Sequence, residues 1–160
     1  MSLGLDESKS RELATERVVD ANYRTLRIIW LAILASVAAI FVVTRIVQAT
    51  PGADRTLFWI LLALGVSNFG ASFLLKHKLL GQGARERKPE LVRGGYIAAL
   101  ALCESIGIFG LIVYLVTGME YYYFFFVISG FGILLHKPQR DDLLAAAIGG
   151  ATVWEAKRND

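Results

Sequence analysis

Four long apolar segments, separated by short polar connections, constrain this chain more than any other feature of its sequence. They cover residues 26–49, 56–75, 96–117 and 120–136. A helix rises about 1.5 Å per residue, so about 20 residues cross the roughly 30 Å hydrocarbon core of a bilayer. The fourth segment is the shortest, and we expect it to begin within the aromatic interface. The sequence therefore predicts an all-α integral membrane bundle of four transmembrane helices, arranged as two hairpins.

The charged residues lie mostly outside these segments. The chain has 160 residues, of which 55% are hydrophobic and 19% are charged. The charges gather in residues 1–27, 76–93 and 137–160, a distribution that excludes an ordinary soluble domain. The net charge of +3 comes from basic residues that flank apolar segments. Membrane topology explains such a pattern, so we expect no nucleic-acid partner.

The connection between the second and third segments is the most basic part of the chain. Positive residues accumulate in cytoplasmic loops, so this connection is predicted to lie inside. The other two connections contain only Arg55, with Asp54 beside it, and Glu120. The bias predicts a multi-pass protein with both termini cytoplasmic, which we assign to a bacterial inner membrane. The basic connection could also bind anionic lipid headgroups. Its positive residues are Lys76, Lys78, Arg85, Arg87, Lys88 and Arg93.

Two polar segments flank the transmembrane domain, which covers residues 26–136. Residues 1–25 have a helix-compatible pattern and contain no secretory cleavage signal, so the first apolar segment is expected to be retained. Residues 137–160 predict a short amphipathic helix that begins near Asp141 and Asp142. Both segments are predicted to be cytoplasmic. The apolar side of the C-terminal helix would carry Leu144, Ile148, Ala151 and Trp154.

Glu104 lies near the centre of the third segment, where a charged carboxylate costs a few kcal/mol even on lenient insertion scales. Such a group should be protonated, paired or exposed to water. Two interpretations stay open. Glu104 could carry a proton or a cation, or it could be a neutral side chain that fastens two helices through a hydrogen bond. Ser67 and Asn68 of the second segment are the candidate partners for that bond.

Small residues surround Glu104 on the third segment and recur on the fourth. Ala101, Gly107 and Gly110 give the third helix a smooth face, and Gly130, with Ser129 and Gly132 beside it, does the same for the fourth. Small residues let membrane helices approach closely. These small residues are therefore predicted to pack against other helices, either within the chain or in a second copy.

Interfacial residues bound the apolar segments. Arg45 lies at the far end of the first segment, where its side chain can reach the headgroups. The aromatic run that begins at Tyr121 is typical of an interface anchor, and an aromatic binding site is the alternative. His77 and His136 each neighbour a lysine at the inner boundary and are also interpreted as interfacial.

No catalytic constellation is present in the sequence. Cys103 is the single cysteine, and no base is positioned to activate it. No nucleotide-binding or metal-binding motif occurs. We therefore expect no enzyme activity, no cofactor and no metal site.

Residues 84–116 resemble the loop and second helix of the proteolipid c subunit of rotary ATP synthases. Residues 87–90, Arg-Lys-Pro-Glu, match the polar loop of that family, and Glu104 matches its ion-binding carboxylate, with Ala101 before it and Gly110 after it. The resemblance implies a helix that forms a ring and carries protons.

Two functions follow from the sequence. The first is a small non-enzymatic membrane protein, an accessory or structural subunit of a larger membrane complex or a homo-oligomer. The alternative is a proton or cation translocating protein that uses Glu104 in the manner of a c subunit. The expected partners are the lipid bilayer and other membrane subunits or copies of the same chain.

Overall fold

The computed structural model describes residues 3–49, 52 and 55–148, and every regular element in them is helical. This confirms the all-α prediction. Three of the helices are long and apolar enough to cross a membrane. The elements are α1 (Leu3–Ile46), α2 (Arg55–Glu86), α3 (Pro89–Thr117), a short 3₁₀ turn (Glu120–Tyr122), α4 (Tyr123–Leu135) and α5 (Arg140–Ile148).

Helix α1 joins the polar N-terminal segment and the first apolar segment into one helix of 44 residues. The sequence explains this continuity, because no glycine or proline occurs between Gly4 and Pro51. Glycine and proline are the residues that most disfavour a helix interior. The part that can cross a membrane runs from Glu16 to Ile46.

The basic connection is mostly helical, because α2 and α3 extend into it from both sides. Only Arg87 and Lys88 lie between the two helices. Arg87 has a positive φ of 55°, and Pro89 opens α3, where its missing N–H costs no helical hydrogen bond. Gly83 permits this tight turn, since a Cβ there would lie 2.7 Å from Val92 Cγ2. We call the end of the bundle formed by residues 76–93 the basic end.

Helix α3 forms the centre of the fold. It pairs with α2 as an antiparallel hairpin, and α1 and α4 pack on its other sides. Leu100, Cys103, Ile106 and Val113 of α3 are at most 1% exposed. In a bilayer the lipid tails are as apolar as these side chains, so close packing holds the helices together rather than removal from water.

Helix α5 packs against the bundle at the basic end. The predicted start is confirmed, since Asp141 and Asp142 lie in its first turn. Its buried face contains Leu143 and Ala146, both fully buried with Val19 and Leu26 of α1 in one cluster. Two positions that we assigned to the apolar side of this helix, Ala151 and Trp154, lie outside the described residues.

Candidate functional site

The carboxyl group of Glu104 lies midway along α3 and contacts α1. Ser36 donates a hydrogen bond from Oγ to Glu104 Oε1 over 2.7 Å. Ser36 itself lies ten residues before the end of α1 at Ile46, at the middle of the apolar part of that helix. Glu104 is half-buried, and no described lysine, arginine or histidine forms an ion pair with it.

The hydrogen bond that we expected from Ser67 or Asn68 therefore comes from Ser36 instead. Asn68 Nδ2 donates to Ser105 Oγ over 2.9 Å, and Ser67 is exposed on α2. The reason is geometric. Adjacent residues of a helix point about 100° apart, so Glu104 can face α1 while Ser105 faces α2. Both contacts lie at the same depth.

Further hydroxyl groups lie at this depth, on the opposite side of α3. Ser129 of α4 donates to the Cys103 carbonyl oxygen over 2.7 Å, and Ser72 of α2 donates to the Phe69 carbonyl oxygen over 2.7 Å. Cys103 Sγ lies 3.8 Å from Ser72 Oγ. The thiol is buried, so it fills space and makes a weak polar contact.

The predicted small residues divide into two groups. A Cβ at Gly107 would meet Ser129 Oγ at 3.3 Å, and a Cβ at Gly110 would meet Phe125 Cβ at 2.8 Å, so both positions allow α4 to approach α3 closely. Gly130, in contrast, has nothing within 4 Å of an added Cβ. Ala101 is exposed. Gly107 and Gly110 therefore pack inside the protomer, whereas Ala101 and Gly130 lie at its surface.

Two further glycines lie against α3, Gly65 of α2 and Gly132 of α4, and Gly132 is one of the small residues noted on the fourth segment. A Cβ at Gly132 would lie 2.7 Å from Cys103 Sγ, and one at Gly65 would lie 3.5 Å from Ile106 Cγ2. Of the two glycines of α4 to which we assigned a packing role, Gly132 therefore performs it inside the protomer and Gly130 does not. The spacing of small residues shows that a smooth face exists, but it does not show which neighbouring glycine faces the partner helix.

One face of α3 is left uncovered between its contacts with α1 and α2. Ala101, Ile108 and Ile112 are exposed along it. Glu104 borders this face on the α1 side, and Ser105 borders it on the α2 side. The mid-depth carboxyl group is therefore adjacent to the open surface of the protomer. We call this surface the open α3 face.

A second polar cluster lies at the basic end and brings together α2, α3 and α5. Tyr96 is fully buried, Asp142 is 7% exposed, and the Tyr96 hydroxyl donates to Asp142 Oδ2. The backbone N–H of Gln139 donates to the same phenol oxygen over 3.2 Å. Lys76 Nζ lies 4.5 Å from the centre of the Tyr96 ring, within the range of a cation–π contact. This cluster fastens α5 to the hairpin.

His136 is buried beside this cluster, although we interpreted it as interfacial. Its exposure is 0%, its Nδ1 lies 2.7 Å from the Gly132 carbonyl oxygen, and its ring lies 4.6 Å from the Phe73 ring. A carbonyl oxygen only accepts, so Nδ1 carries the hydrogen of this bond, while the buried Nε2 has no hydrogen-bond partner among the described residues. His136 closes the end of α4 inside the protein.

No local sequence pattern predicts the cluster of Tyr96 and Asp142. Tyr96 and Asp142 are 46 residues apart, and an aromatic residue at the start of an apolar segment usually indicates an interface anchor. The buried Asp142 also resembles an ordinary helix-start residue. Only the packing of α5 against the hairpin brings the two together.

The basic residues of the proposed lipid-binding set differ in their surroundings. Lys76 is half-buried over Tyr96, and Arg93 is half-buried with an Nε that has no hydrogen-bond partner among the described residues. Lys88 forms an exposed ion pair with Glu86 at 2.9 Å, and this hydrogen bond raises the pKa of Lys88. The remaining members of the set, Lys78, Arg85 and Arg87, are exposed.

The described residues contain no group of three or more histidine, cysteine, aspartate or glutamate side chains that could hold a metal ion. Comparison with protein-family models, curated proteins and solved structures finds no match for this chain.

Proposed function

We propose that this chain is a small non-enzymatic membrane protein that crosses the bilayer four times and works within a larger assembly, as an accessory subunit or a homo-oligomer. The path of α4 supports a fourth crossing. Phe125 packs on Gly110 near the start of α4, and Gly132 packs on Cys103 near its end. Helix α4 therefore runs antiparallel to α3 and packs along the C-terminal half of that helix.

The observation that carries the assembly proposal is the position of Glu104 beside the open α3 face. Among the described residues, this half-buried carboxyl group midway along α3 meets one hydrogen-bond donor, the neutral hydroxyl of Ser36. Polar groups in the hydrocarbon region rarely face lipid and normally face another helix or a water-filled cavity. A helix of a second chain on the open α3 face would cover this group. Ala101 beside it is small enough to allow a close approach.

The charge distribution supports the orientation of this assembly. The N-terminal part of α1 and helix α5 also lie at the basic end, and together these parts contain most of the positive residues. Under the positive-inside rule this end lies in the cytoplasm, with both termini on that side.

A photocrosslinking residue at Ala101 tests the assembly proposal in native membranes. We expect it to form one adduct, with a second copy or with a single partner chain. The same species should remain bound in fixed ratio when the complex is extracted in mild detergent and weighed by native mass spectrometry. Val66, exposed on α2 near the same depth, is the matched control and should label lipid alone. Lipid labelling at both positions, together with a monomeric mass, would contradict the proposal.

Proton or cation translocation through Glu104 is the second candidate, and the same half-exposed carboxyl group supports it. A mid-membrane carboxyl that reaches a surface can exchange a proton when a partner or water arrives there. The resemblance of residues 84–116 to a c subunit implies the same use of Glu104.

Proton flux into liposomes that contain the extracted complex tests this candidate. Glu104→Gln keeps a group that can accept the Ser36 hydrogen bond but removes ionisation, so it should abolish flux. Glu104→Asp should retain part of it. Asn68→Ala is the control, because this variant removes a polar group at the same depth that does not contact Glu104. Equal flux in Glu104→Gln and the unaltered protein would exclude translocation while leaving the assembly proposal intact.

A further inference from the structure

A groove lies between α1 and α4 at the end of the bundle opposite the basic end. Two kinds of residue line it. Aromatic and apolar side chains form most of its wall, and one arginine and one glutamate complete it. The lining residues are Phe41, Arg45, Glu120, Tyr122, Tyr123, Phe126 and Val127.

The floor of the groove is a packed aromatic cluster. Tyr122 is 8% exposed and Phe126 is 7% exposed, and their ring centres lie 6.2 Å apart. Phe41 contacts Phe126 at 5.3 Å in an edge-to-face arrangement, and Tyr114 supports Tyr122 from behind at 4.7 Å. Because each ring is fixed by its neighbours, the groove needs little rearrangement to receive a ligand.

The two charges of the groove are exposed and opposite in sign. Arg45 lies near the end of α1, and Glu120 opens the 3₁₀ turn that precedes α4. Both line the groove, yet they form no ion pair with each other. Arg45 and Glu120 are therefore both available to a ligand. A ligand with one negative and one positive group would complement them.

We propose that this groove binds a phospholipid whose headgroup carries a phosphodiester and a primary ammonium. The phosphate would accept hydrogen bonds from Arg45, whose planar fork matches phosphate geometry. The ammonium would donate to Glu120 and lie near the Tyr123 ring, which favours cations over its face. The acyl chain would follow the apolar wall at Phe126 and Val127 toward the middle of the bundle.

The charge arrangement selects this headgroup over its alternatives. An anionic headgroup without an amine would place negative charge beside Glu120. A quaternary ammonium has no N–H to donate, so it could use the aromatic faces but not the carboxylate. The proposal depends only on the groove and is independent of the role of Glu104.

Native mass spectrometry tests the proposal on the full-length protein taken from nanodiscs with equal amounts of phosphatidylethanolamine and phosphatidylglycerol. We expect one retained phosphatidylethanolamine per chain, preferred over phosphatidylglycerol by about two- to fivefold, the range of one exposed charge-assisted contact. Glu120→Gln should remove this preference while phosphatidylglycerol is still retained. Arg45→Gln should reduce retention of both lipids, because both carry a phosphate.

Two charged residues at the basic end provide matched controls. Arg24→Gln and Glu86→Gln remove exposed charges of the same types and should leave lipid retention unchanged. Far-UV circular dichroism verifies that every variant is folded, and Tyr123→Leu offers a further variant that keeps all charges while weakening ammonium binding. Equal retention of both lipids by the unaltered protein, or a preference that survives Glu120→Gln, would overturn the proposal. Equal retention of phosphatidylcholine would overturn the assignment of a primary ammonium.

Discussion

Glu104 and Asp142 are two carboxyl groups of the same bundle in opposite situations. Asp142 is 7% exposed and accepts a hydrogen bond from the buried Tyr96 hydroxyl, with the Lys76 ammonium over the same ring. Glu104 is half-buried and has one neutral donor, Ser36. The first carboxyl is satisfied by its own chain, whereas the second is left beside an open surface.

This difference separates a structural group from a functional candidate. A buried polar group is normally fully hydrogen-bonded, and its loss is expressed in stability. A polar group that is only partly satisfied within one protomer must find its other partners outside it. Stability measurements on matched variants can therefore test whether the two carboxyl groups differ in the way that their surroundings indicate.

Asp142→Ala should have the largest effect on the stability of the protomer. The change leaves the buried Tyr96 hydroxyl without its acceptor and weakens the hold on α5, so we expect the free energy of unfolding to fall by about 2–4 kcal/mol. Reversible unfolding in mixed micelles measures this. Asp141→Ala, an exposed neighbour on the same helix turn, is the control. Equal stability of the two variants would mean that Asp142 is not part of a structural cluster.

The glycine pair of the α3–α4 region should give the next largest difference. A Cβ at Gly110 would lie 2.8 Å from Phe125 Cβ, so Gly110→Ala must displace α4 and should cost about 1–3 kcal/mol. Gly130→Ala has open space around it and should not lower the free energy of unfolding. Thermal unfolding in detergent compares the two variants. A greater loss for Gly130→Ala would contradict the packing of α4 described above.

Glu104→Gln should change the stability of the isolated protomer by less than about 1 kcal/mol, because the amide oxygen can still accept the Ser36 hydrogen bond. Asp142→Asn, the equivalent change in the satisfied carboxyl, should be more destabilising. Reversible unfolding of both variants at the same detergent concentration makes the comparison. If Glu104→Gln were the more destabilising of the two, Glu104 would be a structural residue. The open α3 face would then no longer support a partner helix.

The sequence predicted the position of Glu104 midway along its helix but not its partner. Apolar length and charge placement are properties of single segments, so the positions of the long helices and of a mid-depth carboxyl follow from them. The choice of Ser36 over Asn68 depends on the rotation of α3 between two neighbouring helices. No local pattern encodes that rotation.

The basic end illustrates the same limit. The charges of residues 76–93 led us to expect a connecting segment, whereas helices occupy all of it except Arg87 and Lys88. A helix can continue past the hydrocarbon region where its residues favour it, so hydropathy marks the membrane boundary and not the helix end. Likewise Tyr96 resembles an interface residue until α5 covers it, and His136 resembles one until its ring packs beside Phe73.

Removing the ion pair between α5 and α1 should have the smallest effect and should depend on salt. Arg140 Nε lies 2.8 Å from Asp20 Oδ1, and both side chains are largely exposed. The hydrogen bond and the charge of Asp20 raise the pKa of Arg140, so the stabilisation that comes from this shift is fully present at neutral pH and is lost as the pH rises through the folded pKa.

Arg140→Gln should lower the thermal midpoint slightly at low ionic strength. The difference should disappear near 1 M salt, where the screening length falls to about 3 Å. Arg24→Gln, an exposed cation of α1, is the control and should show no such dependence. A large and salt-independent loss in Arg140→Gln would mean that α5 is held by this contact rather than by Asp142 and the apolar face beneath it. In that case Asp142 would not be the residue that holds α5 in place, and its contrast with Glu104 would no longer stand.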